Sequence, residues 1–171
     1  KERMRFEIAK AMMVYVLGER AFRPAFGRIY TLAHNDGYPE LSTLPKRHFI
    51  GFVTRYSSKI TYRRRKDYPL LLNVIHDLAS DGLPVLIIGD GWQKSQLSKL
   101  AKNAFVYDPP YEHYNYFYNM MRIFCSVTSY DGGPIPLLES MSTGVYPVIT
   151  NSGFAPDVIK SQDMGRIFQP F

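Results

Sequence analysis

Two carboxylates, Asp131 and Glu139, bracket a glycine pair and the start of an apolar helix in the stretch "SYDGGPIPLLESMSTGVYPVIT", Ser129 to Thr150. Gly132 and Gly133 let main chain approach a ligand with no side chain in the way. Pro136 suits the first turn of a helix, where its missing N–H needs no partner, and Gly144 ends that helix. A helix start offers free N–H groups and a partial positive charge, so anions are held there. Facing one cavity, the two carboxylates would accept hydrogen bonds from sugar hydroxyls. Taken alone, the same residues also describe a turn aspartate and a dipole-favoured surface glutamate.

A second cluster carries the opposite charge. In "TRYSSKITYRRRKD", Arg55, Lys59, Arg63, Arg64, Arg65 and Lys66 all precede the first acid, Asp67. The middle arginines read as a solvated basic loop. Arg55, beside a strand end, and Lys66, beside a helix start, are placed to reach a ligand phosphate. Further on, "GDG" at Gly89 to Gly91 lacks the third glycine of the dinucleotide fingerprint and reads as a tight turn. The aromatic run "YDPPYEHYNYFYNMM" allows two readings. It is a stacking platform for single-stranded nucleic acid, or a packed helix with Tyr114, Phe117, Tyr118 and Met121 at core spacing. "DPP" in turn is suited to bringing backbone groups to a planar base. The single cysteine, Cys125, lies within the apolar run "IFCSVT" and reads as a small buried hydrophobe; no metal-ligand cluster appears.

These groups need a frame, and the frame is periodic. From His48 onward apolar strands alternate with helical patterns: "FIGFV", helix "YPLLLNVIHDLAS", "PVLIIG", helix "KSQLSKLAKN", "AFVY", helix "EHYNYFYNMM", "IFCSVT", helix "IPLLESMST", "YPVIT", helix "APDVIK" and "GRIFQ". Strands apolar throughout and joined by crossover helices imply an α/β domain with a doubly wound, Rossmann-like parallel sheet. Ligands of such a sheet bind beyond the carboxyl ends of its strands. Residues 48–171 form that domain. Residues 1–47 read as a lead-in, with an amphipathic helix in "KERMRFEIAKAMMVYVLGER" and one short strand, "RIYTL". The chain of 171 residues is 46% hydrophobic and 21% charged, with net charge +6 and pI near 9.4. That balance points to an anionic partner and leaves nucleic acid, anionic lipid and phosphorylated small molecules open. No apolar run reaches the roughly 20 residues of a membrane span. The expected location is the cytoplasm, with the membrane surface open to a basic chain.

The stretch "SYDGGPIPLLESMSTGVYPVITNSGFAPDVI" resembles the donor-binding half of retaining glycosyltransferases of the GT-B architecture, group 1 and family 4-like, in which a serine precedes an E-x7-E motif, a small residue with glycine, and a PVI strand. The matching positions are Ser129, Asp131, Gly132, Ile135 to Glu139, Met141, Gly144 and Pro147 to Ile149. "FIGFVTRYSSKITYRRRKDYPLLL" resembles the family's diphosphate-binding element, which maps its arginine onto Arg55 and its lysine onto Lys66, with Lys59 as a rival. Aspartate stands at the first glutamate position and Pro134 replaces a glycine. The resemblance implies a hexosyltransferase-like enzyme that transfers a sugar from a nucleotide-diphosphate sugar to a carbohydrate, lipid or protein hydroxyl with retention. In this reading Arg55, Lys66 and Asp131 are catalytic, and Gly132, Gly133, Ile135, Glu139 and Tyr107 bind the donor. No metal or other cofactor is expected. An N-terminal Rossmann-like domain would complete the acceptor site, so the chain reads as a donor-binding fragment of a larger enzyme. Nucleic acid is not expected as a partner, although a basic, tyrosine-rich nucleic-acid module and a non-catalytic relic of the fold stay open as alternatives.

Overall fold

Val85 to Ile88, a run of four apolar residues each 0–1% exposed, make an interior strand of a sheet that is covered on both faces. The structure, a computed structural model, describes residues 38, 41, 44–92 and 103–169. In chain order the elements are β1 (Phe49–Val53), α1 (Ile60–Arg65), α2 (Tyr68–Ser80), β2 (Val85–Ile88) and β3 (Ala104–Tyr107). A 3-10 turn (Tyr111–His113) then leads into α3 (Tyr114–Met120). The second half comprises β4 (Met121–Ser126), α4 (Ile135–Ser142), β5 (Tyr146–Thr150), α5 (Ala155–Val158) and β6 (Arg166–Phe168).

All pairings are parallel, in the order β3-β2-β1-β4-β5-β6. β1 lies against β2 from Ile50 opposite Val85 to Val53 opposite Ile88. Alternation along β2 divides the core: Leu86 and Ile88 join Phe117, Tyr118, Leu137 and Met141 on one face, while Val85 and Ile87 join Tyr68, Leu71, Ile75 and Trp92 on the other. The second face is set by α2. Asp67 caps it by accepting from the Leu70 N–H at 3.4 Å, Pro69 occupies its first turn, and Leu71, Ile75 and Ala79 fall at fourfold spacing on its buried side.

The doubly wound parallel sheet expected from the sequence is therefore the observed fold, and two local differences have physical causes. The basic stretch after β1 is not all loop. Its centre forms α1, whose last-turn arginines 63–65 complement the negative end of the helix dipole. The rings of Tyr62 and Tyr68 meet edge to face at 6.1 Å, the Arg63 guanidinium lies 6.0 Å from the Tyr68 ring and that of Arg65 5.1 Å from the Tyr62 ring. Met121, expected on a helix face, instead opens β4 opposite Phe49. Packing also reaches back past His48: Leu41 is fully buried in the core, with Tyr38 and Leu44 against it. The expected N-terminal helix, the strand "RIYTL" and the helix "KSQLSKLAKN" lie outside the described residues.

Candidate active site

The strand order reverses between β1 and β4, which opens a crevice at the carboxyl edge of the sheet. A cavity of about 250 Å3 occupies it. Thr54 and Arg55 enter from the end of β1, Gly89 and Asp90 from β2, Tyr111 and Tyr114 from the segment after β3, and Ile135, Pro136 and Glu139 from α4. Tyr62 and Lys66 complete the wall.

Arg55 is positioned by its backbone. Its carbonyl accepts from the Tyr68 hydroxyl at 2.6 Å, and the neighbouring Thr54 carbonyl accepts from the Trp92 indole N–H at 2.5 Å. Main-chain bonds from Thr54 N–H to the Ile88 carbonyl (2.9 Å) and from Tyr56 N–H to the Asp90 carbonyl (2.8 Å) lay the loop along the β2 exit. Gly89, at φ +137°, makes that approach possible, because a Cβ there would lie 2.4 Å from the Thr54 carbonyl oxygen. The "GDG" turn thus holds the arginine loop in place. The Arg55 side chain is 61% exposed, its Nε 3.3 Å from Asp90 Oδ1.

Lys66 reaches the same cavity although eleven positions separate it from Arg55 in sequence, because α1 takes up the extra chain. Lys59 does not line this cavity. The Lys66 Nζ meets Asp131 Oδ2 at 2.5 Å, and both side chains are 14% exposed. The loop after β4 is fastened to the end of α1: Ser129 and Tyr130 N–H groups donate to the Arg65 carbonyl (3.0 and 3.1 Å), and the Ser129 hydroxyl donates to Asp67 (3.2 Å). Asp131 Oδ1 also accepts from Gly133 N–H at 3.2 Å. Gly132 fronts open space, where an added Cβ would meet nothing within 4 Å, while one on Gly133 would come within 3.1 Å of the Phe154 ring. Asp131 and the two glycines therefore stand behind Lys66 and do not line the cavity themselves. Behind them, Thr128 bonds the Thr150 and Ser152 hydroxyls at 3.2 and 3.1 Å, tying the ends of β4 and β5.

Glu139 is 2% exposed. The Tyr118 hydroxyl donates to its Oε2 at 2.7 Å, and the Tyr111 hydroxyl donates to its Oε1. A buried carboxylate needs such donors, since an unsolvated charge is otherwise costly. Burial, together with the nearby Glu139 charge, pushes the Tyr118 phenol well above its usual range; burial, Asp108 and Glu139 push Tyr114 up to about 12. Both phenols therefore stay neutral and keep their donating hydrogens. Tyr107 stands apart from the cavity, its ring 5.3 Å from Phe117 and 5.5 Å from Tyr38.

The lining residues that were not singled out from sequence for the site include Tyr62, Asp90, Tyr111 and Tyr114. The tyrosines carried a usable signal. Tyr111, Tyr114 and Tyr118 recur at three and four residues, so they share one side of the turn-and-helix segment, and that side faces Glu139. Among the described residues no group of three or more His, Cys, Asp or Glu side chains is arranged to hold a metal ion, and no helix is long and apolar enough to cross a membrane. Cys125 is buried, its thiol pushed up to about 12 by that burial.

Solved structures share this architecture. A sucrose-phosphate synthase from Thermosynechococcus elongatus matches with a TM-score of 0.65 at 13% identity, over 95% of this chain and 43% of that one. The lipopolysaccharide outer core galactosyltransferase WaaB in its apo form gives 0.56 at 20% identity, over 75% and 37%. HepE from Anabaena in complex with UDP-glucose gives 0.57 at 12% identity, over 77% and 36%. At such identities the likeness is one of fold, and this chain spans well under half the length of each. No curated protein matches the sequence. The family model described as glycosyl transferases group 1 matches residues 45–171. With a match that covers most of its length, reaching through both walls of the cavity, the chain belongs to the group 1 glycosyl transferases.

Proposed function

We propose that this domain binds the nucleotide-diphosphate sugar donor of a retaining glycosyltransferase, and that a second Rossmann-like domain of a longer protein carries most of the acceptor site. The observation that supports this best is the convergence of Arg55, Lys66 and Glu139, from three separate elements, on one cavity at the sheet's switch point. Glu139 lines that cavity and is the carboxylate that takes hydrogen bonds from the ribose hydroxyls. Arg55 and Lys66 take the diphosphate. As the bond from the anomeric carbon to the phosphate oxygen breaks, its electron pair leaves with the diphosphate, and the acceptor hydroxyl attacks from the same face, passing its proton to the departing oxygen. Preorganised cations at that oxygen are worth about a hundredfold or more in rate, and this reading calls on no metal. Asp131, standing behind the cavity wall, holds Lys66 in place.

HepE was solved with UDP-glucose, so uridine diphosphate sugars are the first donors to test. The chain should be titrated with UDP, GDP and ADP sugars. Binding of one class is expected, with roughly tenfold loss in Glu139→Gln; the absence of binding to all three would remove the reading. Release of free nucleoside diphosphate in the presence of sugar and lipid acceptors should be negligible for the 171-residue chain, because positioning across the two-domain cleft supplies about 7 to 11 kcal/mol of such a barrier. Multiple turnover by the chain alone would show that it completes the acceptor site itself.

A further inference from the structure

Next to the donor cavity, and sharing Arg55 and Tyr62 with it, lies a second cavity of about 370 Å3 whose remaining lining is Ser57, Lys59, Thr61 and Arg65. Three of the six lining side chains are cations and three carry hydroxyls; no carboxylate takes part. Arg55 shares its charge with Asp90, but among the described residues no acidic side chain pairs with Lys59 or Arg65. The Arg65 guanidinium is steadied over the Tyr62 ring at 5.1 Å, one helical turn away, so one wall of the cavity presents a fixed fork of donors. Lys59 stands at the other end of α1, as the residue before it. Two unpaired cations with hydroxyl donors between them suit an anion that offers several oxygens to several donors at once, which describes a phosphoryl group better than a neutral sugar or a single carboxylate. The donor's own diphosphate has Arg55 and Lys66 in the first cavity, which leaves Lys59 and Arg65 for a different ligand.

We propose that this second cavity binds a phosphoryl group carried by the acceptor, on Lys59 and Arg65, so that the acceptor hydroxyl enters the donor cavity across the shared wall of Arg55 and Tyr62. The proposal rests on the donor reading above and adds a substrate class to it: the acceptor is a phosphorylated molecule. Its phosphate comes either from a soluble compound or from a lipid headgroup. Ile60, next in sequence to Lys59, is 64% exposed and would add an apolar contact to a lipid source.

The test uses the whole chain saturated with the nucleoside diphosphate that binds it best. Glycerol 3-phosphate is titrated by calorimetry, and phosphatidylcholine vesicles with and without phosphatidic acid are assayed by co-sedimentation. At least one phosphate probe should bind without displacing the nucleotide, and the double variant Lys59→Gln/Arg65→Gln should weaken that binding about tenfold or more while nucleotide affinity changes less than about twofold. Binding of glycerol 3-phosphate identifies a soluble source; binding confined to vesicles with phosphatidic acid identifies a lipid. The proposal is overturned if neither probe binds, if the probes merely compete with the nucleotide, if vesicles bind equally with and without phosphatidic acid, or if the double variant binds as the wild type does. Salt-steep capture of a single-stranded oligonucleotide that displaces both probes would also overturn it, in favour of a nucleic-acid surface. If no nucleotide binds but probe binding still depends on Lys59 and Arg65, the cavity stands as a phosphate site and the donor reading falls.

Discussion

Glu139 and Arg55 line the same cavity, yet their settings are opposites. Glu139 is 2% exposed with a phenol on each carboxylate oxygen, whereas the Arg55 side chain is 61% exposed beside an equally open Asp90. One wall is finished before any ligand arrives. The other fixes its backbone through Tyr68, Trp92 and the Gly89 turn but leaves the guanidinium free to rearrange, and immobilising such a side chain costs about 0.5 to 1.5 kcal/mol on binding. The difference teaches where affinity and stability are coupled. Changes on the buried wall should disturb both together; changes on the open wall should alter ligand affinity alone, in a salt-dependent way.

The strongest test of that division is Glu139→Gln. Hydrogen bonds to charged groups contribute about 1.5 to 3 kcal/mol, so affinity for the nucleotide sugar should fall tenfold or more by calorimetry. The amide also turns a donor toward one of the two phenols, so urea unfolding should move to lower denaturant as well. Tyr118→Phe sharpens the point: it should cost about 1 to 2 kcal/mol of stability through the lost bond to Oε2, with a smaller loss of affinity, since Tyr111 still donates to Oε1. Unchanged affinity in a stably folded Glu139→Gln protein would detach Glu139 from the donor.

Lys66 lies between the two extremes, partly buried and paired. Lys66→Ala leaves Asp131, 14% exposed, without its counter-ion. Breaking a fully buried pair costs about 3 to 5 kcal/mol; with solvent still reaching this one, about 1 to 3 kcal/mol is expected. Affinity for the diphosphate should fall about tenfold while affinity for the nucleoside holds. The double variant Lys66→Ala/Asp131→Ala should regain part of the stability and none of the affinity. If the single and double variants bind diphosphate as the wild type does, the pair is structural only.

The same contrast explains what the sequence made legible. Strand limits such as Phe49–Val53 and Tyr146–Thr150, and the helix Tyr68–Ser80, were readable because unbroken apolar runs and a fourfold apolar spacing leave a short segment one way to be buried. The motif around Asp131 to Glu139 was readable because glycine, proline and carboxylate each constrain the backbone or the charge in a distinct manner. The bond between Lys66 and Asp131 was not: it depends on α1 forming within a basic stretch, and a helix of six residues held by aromatic contacts to Tyr62 and Tyr68 leaves no apolar period to read. Nor was the tyrosine grip on Glu139, because Tyr118 looked like core and is core, fully buried while its hydroxyl serves the carboxylate. Pattern reading assigns a residue to the inside or the outside, and a tyrosine can serve the core with its ring and the site with its oxygen.

The open wall yields the smallest effects, and they locate the border of the site. Arg55→Ala should weaken diphosphate binding several-fold, less than Lys66→Ala, because its charge is solvated and shared with Asp90. Its loss should shrink further as salt rises, while stability stays within about 0.5 kcal/mol of the wild type. Arg64→Ala should do less still. Arg64 lies on the same short helix but lines neither the donor cavity nor its neighbour, so it contributes only to the general field of a chain with net charge +6. A change below about twofold in diphosphate affinity at moderate salt is expected for a charge that acts only at a distance. If Arg64→Ala, Arg55→Ala and Lys66→Ala instead cost the same, the cations would be acting as one diffuse surface, and the distinction between a built wall and an adjustable wall would fail at its most exposed point.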